Sequence, residues 1–384
     1  MRITPVHAGL GLAVVLATAA CSGADQTAAT SAKGPIAVEA TDTACKVERT
    51  EAAAGTIQFT VRNTGSKVNE FYVYGEGDQI MGEVENITPG LTRTFHVDVS
   101  TPGTYQTACK PGMKGKGIRA AFTVTGTAAS QAPDAAMAAA VTEYQSFVSA
   151  QSDELLARTT DFVDLVKAGK VAEAKRAFPV ARGPWERIEP VAESFGDLDP
   201  KIDGREDVVE EGLPFTGYHR LEKDLWVDGL KADSSAIADQ LLADVKTIVE
   251  KAATAKFTAL SIANGAKELL DEVATTKITG EEERYSHTDL ADMKANLQGS
   301  QAALEVLRPV ITERQPALVA ALDQTFTAIN QALDRHKKGL EYATLTEVSA
   351  DDVKALTVAL DALAEEVAKV PAVVESGAGG TPTS

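Results

Sequence analysis

Apolar and polar residues alternate with a period of two through the first third of the chain, then recur at helical spacing almost to its end. Ile57-Gln58-Phe59-Thr60-Val61, Glu70-Phe71-Tyr72-Val73-Tyr74, Thr92-Arg93-Thr94-Phe95-His96-Val97 and Ala120 to Val124 each place every second side chain on one face, as a half-buried strand does. Turn-forming residues separate these runs at Gly65, Gly75 to Gly77, Pro89-Gly90 and Pro102-Gly103. Short strands this closely spaced predict a small all-β sandwich over residues 35–127.

From Ala135 the period lengthens to that of a helix. Phe147, Leu155, Phe162 and Leu165 mark one helix, which Gly169 ends. Val171 to Phe195 read as a second, interrupted at Pro179 and Gly183-Pro184, because proline lacks an N–H and clashes with the preceding turn. Later segments run over Ala236–Val273, Glu281–Leu307, Val310–Lys338 and Ser349–Val370. The expected architecture is therefore multidomain: an N-terminal all-β sandwich, a C-terminal all-α bundle over residues 134–372, and a disordered tail over 373–384.

The first twenty residues form neither pattern. One basic residue, Arg2, precedes an apolar run from Ala8 to Ala17 and the small residues Thr18-Ala19-Ala20 before Cys21. This is the layout of an export signal over residues 1–20, with an apolar run too short to span a bilayer. The stretch resembles the lipobox of bacterial lipoproteins, which implies an acylated Cys21 and a flexible tether over residues 21–34. The expected location is outside the cytoplasm, in the periplasm or lipid-anchored on the outer face of the cytoplasmic membrane.

Charge narrows the function. Over 384 residues there are 37 basic and 55 acidic side chains, a formal net of −18. Residues 35–127 are almost balanced at −1, whereas residues 128–384 hold 26 basic against 44 acidic side chains, a net of −18. Phosphate backbones are bound by Lys and Arg, so nucleic acid is an unsuitable partner and a cation is a suitable one.

With Cys21 assigned to an anchor, Cys45 and Cys109 remain. Two thiols in an oxidising compartment pair as a disulfide, or bind a soft metal. The Pro102-Gly103-Thr104-Tyr105 turn, entering a strand that ends Cys109-Lys110-Pro111-Gly112-Met113, resembles the copper-binding corner of cupredoxins. A blue-copper centre also needs two imidazoles, and His96 is the only histidine between residues 8 and 218. Two alternatives stand: a Cys45–Cys109 disulfide, or a second metal site, such as copper, drawing on Cys45, Cys109, Glu70, Glu83 and Met113.

In the helical part, Glu186, Glu189 and Glu193 are spaced i, i+3 and i+7, and His219 and Glu222 are three apart, so each set shares a helix face. A mixed imidazole and carboxylate set suits iron, zinc or manganese. The segments Ile188 to Asp203, Phe215 to Trp226 and Lys277 to Leu290 together resemble the imelysin family, within it the branch that serves bacterial iron uptake. The resemblance implies an extracytoplasmic protein that captures iron, as Fe2+ or Fe3+, and passes it to a membrane permease, with a haem-type peroxidase as a further partner. Zinc is the expected substitute. The candidate ligands are His219, Glu222, Glu186, Glu189 and Asp203, whereas His287 reads as part of a helix start, Ser286 and Asp289 having capping-box spacing. Zinc peptidases of the H-E-x-x-H type need two histidines one helical turn apart, and Glu222 is followed by Lys223, so the reading is not an enzyme. The alternatives are a metal-dependent binder of acidic polysaccharide and, behind it, an imelysin-like metallopeptidase.

Overall fold

A computed structural model describes residues 34–127, 134–196 and 198–376. The export signal, Cys21 and its tether lie outside the described residues. The strands are Ile36–Ala40 (β1), Cys45–Val47 (β2), Glu51–Ala53 (β3), Gly55–Asn63 (β4), Asn69–Tyr74 (β5), Ile80–Ile87 (β6), Thr92–Val99 (β7), Gly103–Cys109 (β8) and Ile118–Thr125 (β9). One sheet has the order β2-β1-β4-β7 and the other β3-β9-β8-β5-β6, as the period-two pattern requires of a sandwich. Their inner faces meet at Phe59, Phe71, Phe95 and Phe122, with the Phe59 and Phe71 ring centroids 5.1 Å apart. The outer face of the five-stranded sheet carries Glu70, Tyr72, Glu83 and Glu85, the side chains that alternate with the core positions Phe71, Val73 and Val84.

Cys45 on β2 and Cys109 at the end of β8 are joined in a disulfide across the two sheets, with Cα atoms 5.4 Å apart. A disulfide leaves no thiolate, so the alternative in which both sulfurs hold copper is not realised in this structure. His96 is likewise elsewhere: its Nε2 lies 3.2 Å from Glu375 Oε2, at the seam between sandwich and bundle.

The bundle consists of Ala135–Lys167 (α1), Val171–Ile188 (α2), Asp199–Ile202 (α3), Gly217–Lys223 (α4), Ser234–Ala252 (α5), Ala259–Thr275 (α6), Asp289–Arg314 (α7), Pro316–Asp334 (α8), Ala350–Val367 (α9) and Val370–Glu375 (α10). Asp134 caps α1 by accepting from the backbone of Ala136 and Met137, and Gly169 ends it at a positive φ of 68°. Tyr144, Val148, Leu155 and Phe162 form its buried stripe.

Five boundaries differ from the sequence pattern. Helix α2 passes through Pro179 and Pro184 and only then tightens into a 3-10 turn over Glu189–Phe195. Each proline removes one helical hydrogen bond, but the buried Phe178, Ala181, Trp185 and Ile188 recover more by packing. The Ala236–Val273 stretch is two helices, divided where Thr258 and Ser261 form a capping box. Helix α7 starts at Asp289 rather than Glu281 and runs past Pro309, while α10 takes in the start of the expected tail because Val373 and Val374 are buried.

Helix α6 joins the two domains. Its Asn264 Nδ2 donates to the His96 carbonyl at 2.6 Å, and its Asp271 Oδ2 lies 3.4 Å from Arg93 Nη1. Gly217 starts α4 at a φ of 76°, where a Cβ would collide with the Ile202 carbonyl, so glycine is what brings α4 tight against α3. No helix of the described residues is long and apolar enough to cross a membrane.

Candidate metal centre

Helix α4 carries His219 and Glu222 on its buried face, and one turn later the chain widens into a π-helical turn over Asp224–Asp228. His219 is 1% exposed and Glu222 fully buried, so both must find partners inside the bundle. Glu222 Oε2 is 3.1 Å from His219 Nδ1, and its Oε1 accepts from the backbone N–H groups of Tyr285 at 2.9 Å and Ser286 at 2.7 Å. These contacts fix the imidazole and point Nε2 the other way. There it meets Asp203 Oδ1 at 3.5 Å, Glu282 Oε1 at 3.4 Å and the Arg182 guanidinium at 3.3 Å.

Two overlapping donor groups result, Asp203–His219–Glu282 and His219–Glu222–Glu283, each with its ligand atoms within 4.8 Å of one another. Arg182, fully buried on α2, sits among them. It pairs closely with Asp203 and Glu186, at 2.7 Å with Glu283, at 3.4 Å with Glu282 and at 3.7 Å with Asp292. A second buried cation, Lys277, reaches Glu189 at 2.6 Å and Glu186 at 3.3 Å. The carboxylates Glu186, Glu189, Asp203, Glu222, Glu282, Glu283 and Asp292 thus surround Arg182 and Lys277, with Arg205 reaching Glu282 at 2.8 Å from the outer side.

The titration behaviour follows from this packing. Burial and Arg182 pull His219 down, but Asp203, Glu222 and Glu282 outweigh them and push it up to about 9. Burial raises Glu222, yet the His219 contact and the two backbone donors leave it below the usual carboxylate range. Burial pushes both Glu283 and Asp292 well above that range, helped at Glu283 by the charge of Glu222 and at Asp292 by that of Glu283.

Of the side chains expected from sequence, His219, Glu222 and Asp203 come together here. Glu186 and Glu189 point to Lys277 and to Asn296, whose Nδ2 donates to them at 2.9 and 2.6 Å. Glu70 accepts from the Tyr72 hydroxyl at 3.0 Å, and it and Met113 line a cavity between the domains, while Glu83 lines its smaller neighbour. His287 belongs to neither donor group. Its expected capping role is also not realised, since Thr288 precedes α7 and Ser286 Oγ donates to Glu283 at 2.8 Å. Sequence reasoning did not reach Arg182, Glu282, Glu283 and Asp292. The Glu281-Glu282-Glu283 run was visible as a motif, but only the fold shows that it crosses back over α4.

Residues 140–370 match the imelysin family, and residues 11–124 match a cupredoxin-like domain. The chain belongs to the imelysin family, with a cupredoxin-like sandwich ahead of the helical domain. It is similar to the iron uptake system component EfeO of Escherichia coli (strain K12), 35% identical over 348 residues, which are 88% of this chain and 91% of that protein. The EfeO of Shigella flexneri gives the same 35% identity over the same 348 residues. Among solved structures, dithionite-reduced auracyanin from Roseiflexus castenholzii is 19% identical, covers 25% of this chain and 99% of its own, and has a TM-score of 0.21, from which nothing about this chain follows.

Proposed function

We propose that the chain is the extracytoplasmic iron-binding component of an uptake system of the EfeO type, and that the His219 centre is where it holds its cargo. The single observation that carries this is the orientation of His219: Glu222 occupies Nδ1, which leaves Nε2 facing Asp203 and Glu282. In this reading His219, Asp203 and Glu282 are the ligands, Glu283 is in reserve, and Glu222 is the outer carboxylate that sets the tautomer. One imidazole with carboxylates suits iron, and zinc by substitution. Glu186 and Glu189 hold Lys277 and so shape the wall of the site rather than the ion.

Handing the ion to a membrane permease, with a haem-type peroxidase alongside, belongs to the same proposal, which the likeness to an iron uptake system component supports; residence outside the cytoplasm on a Cys21 lipid anchor is proposed from the lipobox-like residues before Cys21. Peptidase chemistry is not part of the proposal, because a single imidazole enters the cluster and no second histidine lies one turn from it. Calorimetric titration with Fe2+ and Zn2+ tests the reading. Wild type is expected to bind one ion at this centre, and His219→Ala with Asp203→Ala to lose it; unchanged binding would refute the assignment.

A further inference from the structure

Between the outer face of the five-stranded sheet and helix α6 lie two adjoining cavities, of about 160 Å³ and about 380 Å³, which share Glu85, Glu189, Asp199 and Glu272 as walls. The smaller is also lined by Glu83 from the sandwich and Glu268 from α6. The larger reaches Asp203 and Glu282, the carboxylates that face His219 Nε2. Carboxylates therefore line both cavities between the sandwich and the candidate metal centre, with Lys114 and Arg205 among the walls of the larger.

Glu83 is the feature that structural need does not explain. It is 3% exposed, it lines the smaller cavity, and its Oε2 has no hydrogen-bond partner. An unpaired oxygen of this kind is costly unless something fills the space before it. Among the described residues, no basic side chain forms an ion pair with Glu83, Glu85, Glu268 or Glu272, although Arg205 and Lys277 serve the far end of the larger cavity. Burial, with Glu85 and Asp271 beside it, pushes Glu268 up to about 8 despite the nearby Lys267, and burial with Glu70 pushes Glu85 up to about 7.

We propose that this interdomain chamber is a second cation site, which takes a partly hydrated, oxygen-seeking metal ion on Glu83 and Glu85 from the sandwich and Glu268 and Glu272 from α6. The donors are all oxygen, which selects hard cations. Their oxygens surround a cavity instead of converging within 4.8 Å as those around His219 do, so the ion keeps water in its shell. At roughly 30 Å³ per water, the smaller cavity holds an ion and several waters. The two domains would then have a joint task, since neither supplies the donor set alone. The proposal goes beyond the reading of the His219 centre and can be tested without it.

Mn2+ titration of the full chain, followed by the electron paramagnetic resonance of the free ion, provides the test. A His219→Ala, Asp203→Ala, Glu282→Ala background removes the inner centre. That variant is expected to retain one bound Mn2+ per chain, and adding Glu83→Gln with Glu268→Gln to weaken this binding at least tenfold. Since the glutamines relieve repulsion between carboxylates, the metal-free combined variant is expected to melt no lower than its parent. Loss of all Mn2+ in the background variant, unchanged binding after the glutamine changes, or a lowered metal-free melting temperature would each overturn the proposal.

Discussion

Arg182 Nη1 lies 3.3 Å from His219 Nε2, so the imidazole nitrogen left free by Glu222 faces a fixed positive charge as well as two carboxylates. In the metal-free protein this guanidinium is what keeps Asp203, Glu186, Glu282 and Glu283 together inside the bundle. Arg182→Met should therefore destabilise the metal-free chain by about 3–5 kcal/mol, the usual effect of leaving buried charges without their partner. An added cation should recover much of that loss. Urea unfolding with and without Zn2+ checks this: a larger Zn2+ stabilisation in the variant than in wild type is expected.

Glu222 and Asp203 should respond differently to substitution. Asp203→Asn changes an oxygen that faces Nε2 and is a proposed ligand, whereas Glu222→Gln disturbs only the group that holds Nδ1. An outer partner of this kind contributes about 10–100-fold to metal affinity. Calorimetry with Zn2+ should show a loss in that range for Glu222→Gln and a greater one for Asp203→Asn.

Metal affinity should rise with pH. His219 is pushed up to about 9 in the metal-free chain, so at neutral pH it carries a proton that an incoming ion must displace. Binding then releases about one proton from this residue and tightens about tenfold per pH unit until pH nears 9. The same shift has the opposite sign for the metal-free fold: its contribution to stability is complete below about 6.5 and fades as pH rises through about 9. Calorimetry in buffers of different ionisation enthalpy measures the proton count.

The disulfide makes a separate prediction. Cys45 and Cys109 close a loop with a sequence separation of 64, which in the chain-entropy picture stabilises the fold by about 4 kcal/mol. Replacing both with Ser should weaken the sandwich by that order, while Zn2+ binding at His219 in the bundle remains. A thiol assay of unreduced protein should find neither cysteine free.

The fold was legible in sequence wherever one face of an element is buried and the other is wet. The alternation through Phe59 and Val61, or through Phe71 and Val73, could only be a sandwich strand, and the Tyr144 to Phe162 stripe only a helix. Legibility failed where tertiary contacts overrode local rules. Pro179 and Pro184 sit inside α2 because Trp185 and its neighbours pack so fully. The segment before α7 does not continue the helix because Glu222 accepts the Tyr285 and Ser286 N–H groups, and His287 follows at a φ of 59°. The HxxE pair drew its weight from the imelysin resemblance of the segments around it as well as from its spacing, but Glu282 and Glu283 reach it from more than fifty residues away, a distance along the chain that no periodicity crosses.

The central claim is that His219 binds iron through Nε2, with Asp203 and Glu282 beside it. Anomalous diffraction at the iron edge, from crystals of the iron-loaded chain, tests it most directly. The account predicts an anomalous peak at bonding distance from His219 Nε2 and from oxygens of Asp203 and Glu282, with Glu222 still hydrogen-bonded to Nδ1. Iron bound to Nδ1 and Glu222, or iron found only away from His219, would contradict it.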